Sequence, residues 1–140
     1  EFFQYEHVFS NNSRKHAIGK RYVVDTGLRN AFLGKRPSDV GHVLENAVFM
    51  ELLRRGFEVT VGKIDKVEID FVAVNHTDRV YVQVCRTLAD EKVEQREFSP
   101  LLAVADAYPK FVLSMDRIGC FREGVRRLNI VDFLMGASLS

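Results

Sequence analysis

The sequence predicts a single α/β domain, a mixed β-sheet with helices packed on it, and three observations point there. A chain of 140 residues is long enough for one core, and 46% hydrophobic with 28% charged residues is the balance of a folded protein rather than a disordered one. Apolar periodicity switches along the chain between the helical period and strict alternation. The resulting order of helix, three strands, helix and strand is that of a sheet covered by helices.

Phe2, Phe3 and Tyr5 lead into a polar run from Ser10 to His16. Arg21–Val24 reads as a short strand, and Asp25-Thr26-Gly27 as a turn that opens a short helix through Phe32. Gly34 to Asp39, with Pro37 inside it, is a loop. The strongest helix signal runs from Val40 to Arg55, with Val48, Phe49 and Leu52 on one stripe and Gly56 as its C-cap. Phe57–Val61 alternates as a strand. Val67–Val74 and Arg79–Arg86 are two more, separated by the turn Asn75-His76-Thr77-Asp78. Asp90 caps a second helix reaching about Ala107, with Pro100 as an interruption. Phe111–Met115 reads as a buried strand and Leu128–Phe133 as a short final one. No internal repeat or low-complexity segment is present.

The formal net charge of +1 neither requires nor excludes a nucleic-acid partner. Arg14, Lys15, His16, Lys20 and Arg21 form a basic stretch that reads either as a solvated edge or as a phosphate-binding strip, and Arg122, Arg126 and Arg127 could join it in space. No apolar run approaches the roughly 20 residues needed to cross a bilayer, and no signal-peptide pattern opens the chain. Cys85 and Cys120 lie in or beside strand-like segments, so a reduced, cytoplasmic protein is expected. Residue 1 is Glu, and the opening residues read as the inside of a domain, which suggests a piece of a longer chain.

Strand alternation gives the central hairpin two faces. Val67, Ile69, Phe71 and Ala73 are expected to join Val80, Val82 and Val84 as core, leaving Glu68, Asp70, Val72 and Val74 with Tyr81, Gln83 and Cys85 opposite. If Val74 pairs with Arg79 across the four-residue turn, Asp70 faces Gln83 and Glu68 faces Cys85, with Cβ atoms about 4.5–5.5 Å apart. Glu45 lies one turn before Phe49 on the inward stripe. An acid there is costly unless it is paired or holds a cation. Glu45, Asp70 and Gln83 together supply the oxygen ligands that a hard cation such as Mg²⁺ prefers.

A helical glutamate, a strand aspartate, and then an acidic residue or Gln followed two positions later by lysine is the skeleton of PD-(D/E)xK nucleases. Here it is filled by Glu45, Ile69-Asp70 and Gln83-Val84-Cys85. Nearly the whole chain also resembles the uncharacterised C-terminal domain that follows an AAA-type ATPase in many bacterial and archaeal proteins. The matching runs are Lys20 to Arg29, Leu44-Glu45-Asn46 with Glu51 to Gly56, Glu68 to Val72, Tyr81 to Cys85 and Tyr108 to Asp116. The resemblance implies a restriction-endonuclease-like fold, an attached N-terminal ATPase domain, and a partner that is DNA, RNA or protein. In the nuclease superfamily the carboxylates hold Mg²⁺, and the lysine neutralises charge that builds up in the transition state.

This chain departs from that pattern twice. Gln83 replaces a carboxylate, which weakens Mg²⁺ binding, and Cys85 replaces the lysine with a thiol that is mostly neutral near pH 7. Losing one such contact costs roughly 10²–10³ in rate. Arg86 is on the wrong face of its strand to substitute, whereas Lys92 at the start of the next helix could reach over. Gln95 resembles an extra glutamine that some superfamily nucleases carry near their site. No G-x-x-x-x-G-K-[ST] loop occurs, so ATP chemistry would belong to another part of a longer chain. The expectation is a nuclease-fold accessory domain without catalysis, and the alternative is an active Mg²⁺-dependent nuclease with a displaced lysine. A purely structural assembly domain and a Cys85–His42 nucleophile pair rank below these.

Overall fold

The computed structural model describes residues 6–7, 40–117 and 121–139. The strand expected over 21–24, the following short helix, the basic stretch of Arg14, Lys15, His16, Lys20 and Arg21, and Cys120 all lie outside these residues. What is described is a sheet with helices on both faces. The elements are β1 (Glu6–His7), α1 (Val40–Arg54), β2 (Glu58–Ile64), β3 (Val67–Val74), β4 (Arg79–Val84), α2 (Glu91–Leu102), β5 (Lys110–Ser114), β6 (Phe121–Arg122), β7 (Val125–Asn129) and α3 (Ile130–Leu134).

The strands form one seven-stranded sheet in the order β1-β2-β3-β4-β5-β7-β6. Its first half is an antiparallel meander, while β4, β5 and β7 run parallel. A parallel neighbour needs a long crossover, and α2 provides it between β4 and β5. One core packs α1 and α3 on one face, with Phe49, Leu52, Phe71, Val82, Phe111 and Phe133 buried together. The other core packs α2 on the opposite face, over Ile69, Val72, Tyr81, Cys85, Phe98 and Leu101.

Local signals set most of the boundaries. Gly56 adopts φ +83 after α1, and the amides of Gly56 and Phe57 donate to the carbonyls of Leu53 and Leu52. This is a glycine C-cap in the left-handed region. Asp90 caps α2 by accepting from the amides of Lys92 and Val93. The helix stops at Leu102, short of the expected Ala107, two residues beyond Pro100. The strand expected over Leu128–Phe133 is instead the end of β7 followed by α3. Asn129 breaks it, because its carboxamide accepts from the amides of Val131 and Asp132 and opens a helix. The hairpin of β6 and β7 turns on Glu123 and Gly124, at φ 51 and 83, and has no counterpart in the sequence reading.

The expected faces of β3 need one correction. Thr60 pairs with Val72 but Gly62 pairs with Ile69, so the single residue Val61 stands opposite both Asp70 and Phe71. This β-bulge resets the alternation. Ile69 consequently joins Val72 in the α2-side core, rather than Phe71 and Ala73 in the other. The face opposite the first core is itself buried by α2, not an open polar surface. Glu68 is exposed and pairs with Lys63 of β2, while the regular β3–β4 ladder covers Phe71–Val74 with Arg79–Val82.

Gly62 is the residue that lets the bulge close. A Cβ there would sit 2.8 Å from Val72 Cγ2 and 3.2 Å from Ile69 Cβ, both on fully buried side chains. Gly62→Ala is expected to cost about 1–3 kcal/mol through overpacking, read as a lower urea midpoint with an unchanged slope. An unchanged midpoint would show that the bulge has room to spare.

Candidate functional site

The turn between β3 and β4 fixes the register that the site depends on. Asn75 Oδ1 accepts from the amides of Thr77 and Asp78, and Val74 pairs with Arg79. Counting on from Phe71 opposite Val82, the next rung is Asp70 opposite Gln83, as the sequence predicts. That rung is closed by side chains. Gln83 Oε1 accepts the Asp70 amide at 3.0 Å, and Asp70 Oδ2 accepts the Val84 amide at 2.9 Å. The regular β3–β4 ladder ends at Phe71 and Val82, so the two side chains supply acceptors that buried amides would otherwise lack. Both residues are buried, at 7% and 8% exposure.

Asp70 and Gln83 are therefore brought together, with Asp70 Oδ2 and Gln83 Oε1 both turned toward strand amides. The carboxamide oxygen assigned to a cation in the sequence reading is held by a backbone N–H. Among the described residues no three His, Cys, Asp or Glu side chains gather as a cation site would need. A carboxamide offering its nitrogen is a poor ligand for Mg²⁺, which selects oxygen. Glu45 stands half-buried on α1, one turn before the buried Phe49, and α1 packs on the face that carries Phe71 and Val82.

Cys85 follows β4, and its amide continues the sheet by donating to the Leu113 carbonyl. The side chain is 8% exposed and packs in the α2-side core. Burial first, and then the negative charges of Glu97, Asp116 and Asp70, push the thiol up to about 12. It is neutral at physiological pH and supplies no cation. His42 is exposed on α1, across the sheet from the core that holds Cys85, so the Cys85–His42 pair does not form. Arg86 is exposed just beyond β4, and its carbonyl accepts from Met115.

Beside Gln83 a cleft of about 560 Å³ opens between the β2–β3 turn and α2. Lys66 comes from the turn, while Lys92, Gln95, Arg96 and Ser99 come from successive turns of α2. Glu97, buried at the cleft wall, accepts from Arg96 at 3.0 and 2.8 Å. The sequence reading singled out Lys92 and Gln95 but not Lys66, Arg96 or Glu97. The helical spacing of Lys92, Arg96 and Ser99 was a legible signal for the shared wall.

The arginines proposed to extend a basic strip are otherwise engaged. Arg122 and Arg127 both hold Glu94 of α2, which keeps that carboxyl below its ordinary range. Arg127 also lies over the Phe98 ring at 5.2 Å, and Arg126 over Phe111 at 5.9 Å. The contacts to Glu94 and Phe98 fasten α2 to β6 and β7, and the Arg126 contact ties β7 to β5. Among the described residues no helix is long and apolar enough to cross a membrane.

No protein-family profile and no solved structure matches the chain. Among curated proteins it is similar to an uncharacterised protein of Haemophilus influenzae, 37% identical over 121 residues. That stretch is 83% of this chain and 28% of the Haemophilus protein, so the chain spans less than a third of this relative's length.

Proposed function

We propose that this domain is a nuclease-fold accessory module without catalysis, working as a binding element beside an AAA-type ATPase. The observation that carries the reading is the closed Asp70–Gln83 rung next to a neutral thiol. The acidic position has become half of a backbone bridge, and the position that should hold a cation is packed in a core. Electrostatic stabilisation of a transition state needs charges aimed at the reacting phosphate, and neither residue offers one. The greater length of the Haemophilus relative supports a domain that works attached to more polypeptide.

One observation favours the second reading, an active nuclease with a displaced lysine: Lys92 lines the same cleft as Gln83. The two are separated by incubating plasmid and RNA with wild type, Asp70→Asn and Lys92→Ala in Mg²⁺ and in Mn²⁺. Wild type is expected to show no cleavage above the variants. Turnover that disappears in both variants would overturn the accessory reading. Asp70→Asn keeps an acceptor for the Val84 amide, so its loss of activity would not be a folding effect. A P-loop in the coding sequence before Glu1 would support the ATPase partner, and a longer upstream sequence lacking one would remove it.

A further inference from the structure

We propose that the cleft beside Gln83 is an anion site that takes the phosphate ester of a nucleotide directly, without a bridging metal ion. The inference deepens the binding-module reading and rests on it. It starts from the orientation of one amide. Gln83 Oε1 must face the Asp70 N–H it accepts, which fixes the side-chain flip and leaves Nε2 as the free end. Among the described residues this nitrogen makes no hydrogen bond, although Gln83 is more than nine-tenths buried and lines the cleft. The base of the cleft therefore presents a rigid donor where a nuclease presents a carboxylate.

The rim agrees with the base. Lys66 and Lys92 are exposed and come from opposite walls, and among the described residues neither ammonium forms an ion pair or hydrogen bond. Each brings an ammonium with only donors to offer. Gln95 and the Ser99 hydroxyl add neutral groups along α2, and Val67 and Pro100 give apolar wall for an organic moiety. Of the acids nearby, the buried Glu97 is neutralised by Arg96, which leaves Glu68 as one carboxylate against two lysines. A volume of about 560 Å³ is far more than inorganic phosphate fills and lies within the size range of small-molecule sites. Replacing a nuclease carboxylate with Gln thus reverses the polarity of the pocket, from one that recruits a cation to one that accepts an anion.

The test is binding in EDTA. A 5′-mononucleotide and inorganic phosphate are titrated calorimetrically, and a fluorescein-labelled single-stranded oligonucleotide is followed by anisotropy, each with wild type, Gln83→Glu and Lys92→Glu. Saturable binding of the mononucleotide or the oligonucleotide is expected, weaker by at least ten-fold in both variants, with inorganic phosphate binding less tightly than either. Mononucleotide binding that a longer strand does not improve identifies a free nucleotide as the source. Binding of the oligonucleotide alone identifies a phosphate within a strand. No saturable binding, binding that requires Mg²⁺, or binding indifferent to both substitutions would overturn the proposal. Lys92→Glu changes an exposed side chain, so the result stands even if Gln83→Glu lowers the melting temperature. Cleavage by wild type would sink the non-catalytic reading and leave the EDTA result intact, whereas failed binding would do the reverse.

Discussion

Arg55→Ala is expected to destabilise the domain by about 3 kcal/mol, seen as a lower urea midpoint, because one guanidinium holds three structures together. Its Nε donates to Glu51 at 2.8 Å, its two Nη atoms donate to the carbonyls of Ala137 and Phe133, and its plane lies 4.1 Å from the Phe133 ring centroid. Truncation would leave the Ala137 carbonyl short of a donor, the Phe133 carbonyl with the Gly136 amide alone, and the buried Glu51 dependent on Arg54, whose side chain is 69% exposed. The cluster also predicts an acid limb. Hydrogen bonds from Arg54, opposed by desolvation and reinforced by Arg55, hold the Glu51 carboxyl down at about 2. A carboxyl depressed on folding contributes its full stability above its unfolded value near 4, and loses it as pH falls toward 2. After discounting for the exposed Arg54, that contribution is about 1–2 kcal/mol. Wild type should lose stability over this window, and Arg55→Ala should lose less of it. Parallel curves for the two proteins would show that Glu51 is held by other groups.

Cys85→Lys, which places a lysine where the PD-(D/E)xK pattern has one, is expected to lower stability by about 2–4 kcal/mol without conferring cleavage. The lysine stem is longer than the thiol by several atoms and must enter a core shared with Leu88, Phe98 and Leu101. Its ammonium loses water, which the negative charges of Glu97, Asp116 and Asp70 offset only in part. The urea midpoint measures the first effect and a Mg²⁺-dependent nuclease assay the second. A stable variant that cleaves nucleic acid would show that the thiol alone silences the domain.

How far the sequence could be read depended on whether a feature was local. The Asp70–Gln83 juxtaposition followed from simple counting, because Asn75 pins a four-residue turn and β3 and β4 are adjacent in the chain. The fate of Ile69 did not, since it depends on a bulge against β2, and its only signal was a glycine seven residues earlier on the neighbouring strand. Leu128 to Phe133 had strand-like apolar content, but the hydrogen-bonding side chain of Asn129 outweighed it. Glu45 falls on an inward stripe and is half-buried, whereas the buried acid of that helix is Glu51, paired with arginines three and four residues on. The cleft wall on α2 could have been found from helical spacing. Its partner Lys66 could not, because only the fold brings that turn alongside α2.

The bridge made by Arg55 has a further consequence for how the protein is made. Its partner carbonyls lie 78 and 82 residues further along the chain. At about 5–20 residues per second, a ribosome needs roughly 4–16 s to deliver them. Late in that interval Phe49 and Leu52 are outside the exit tunnel while Phe133 and Leu139, which complete their core, do not yet exist. The nascent domain is therefore a natural client for a holding chaperone, and it commits to its fold only when the tail arrives.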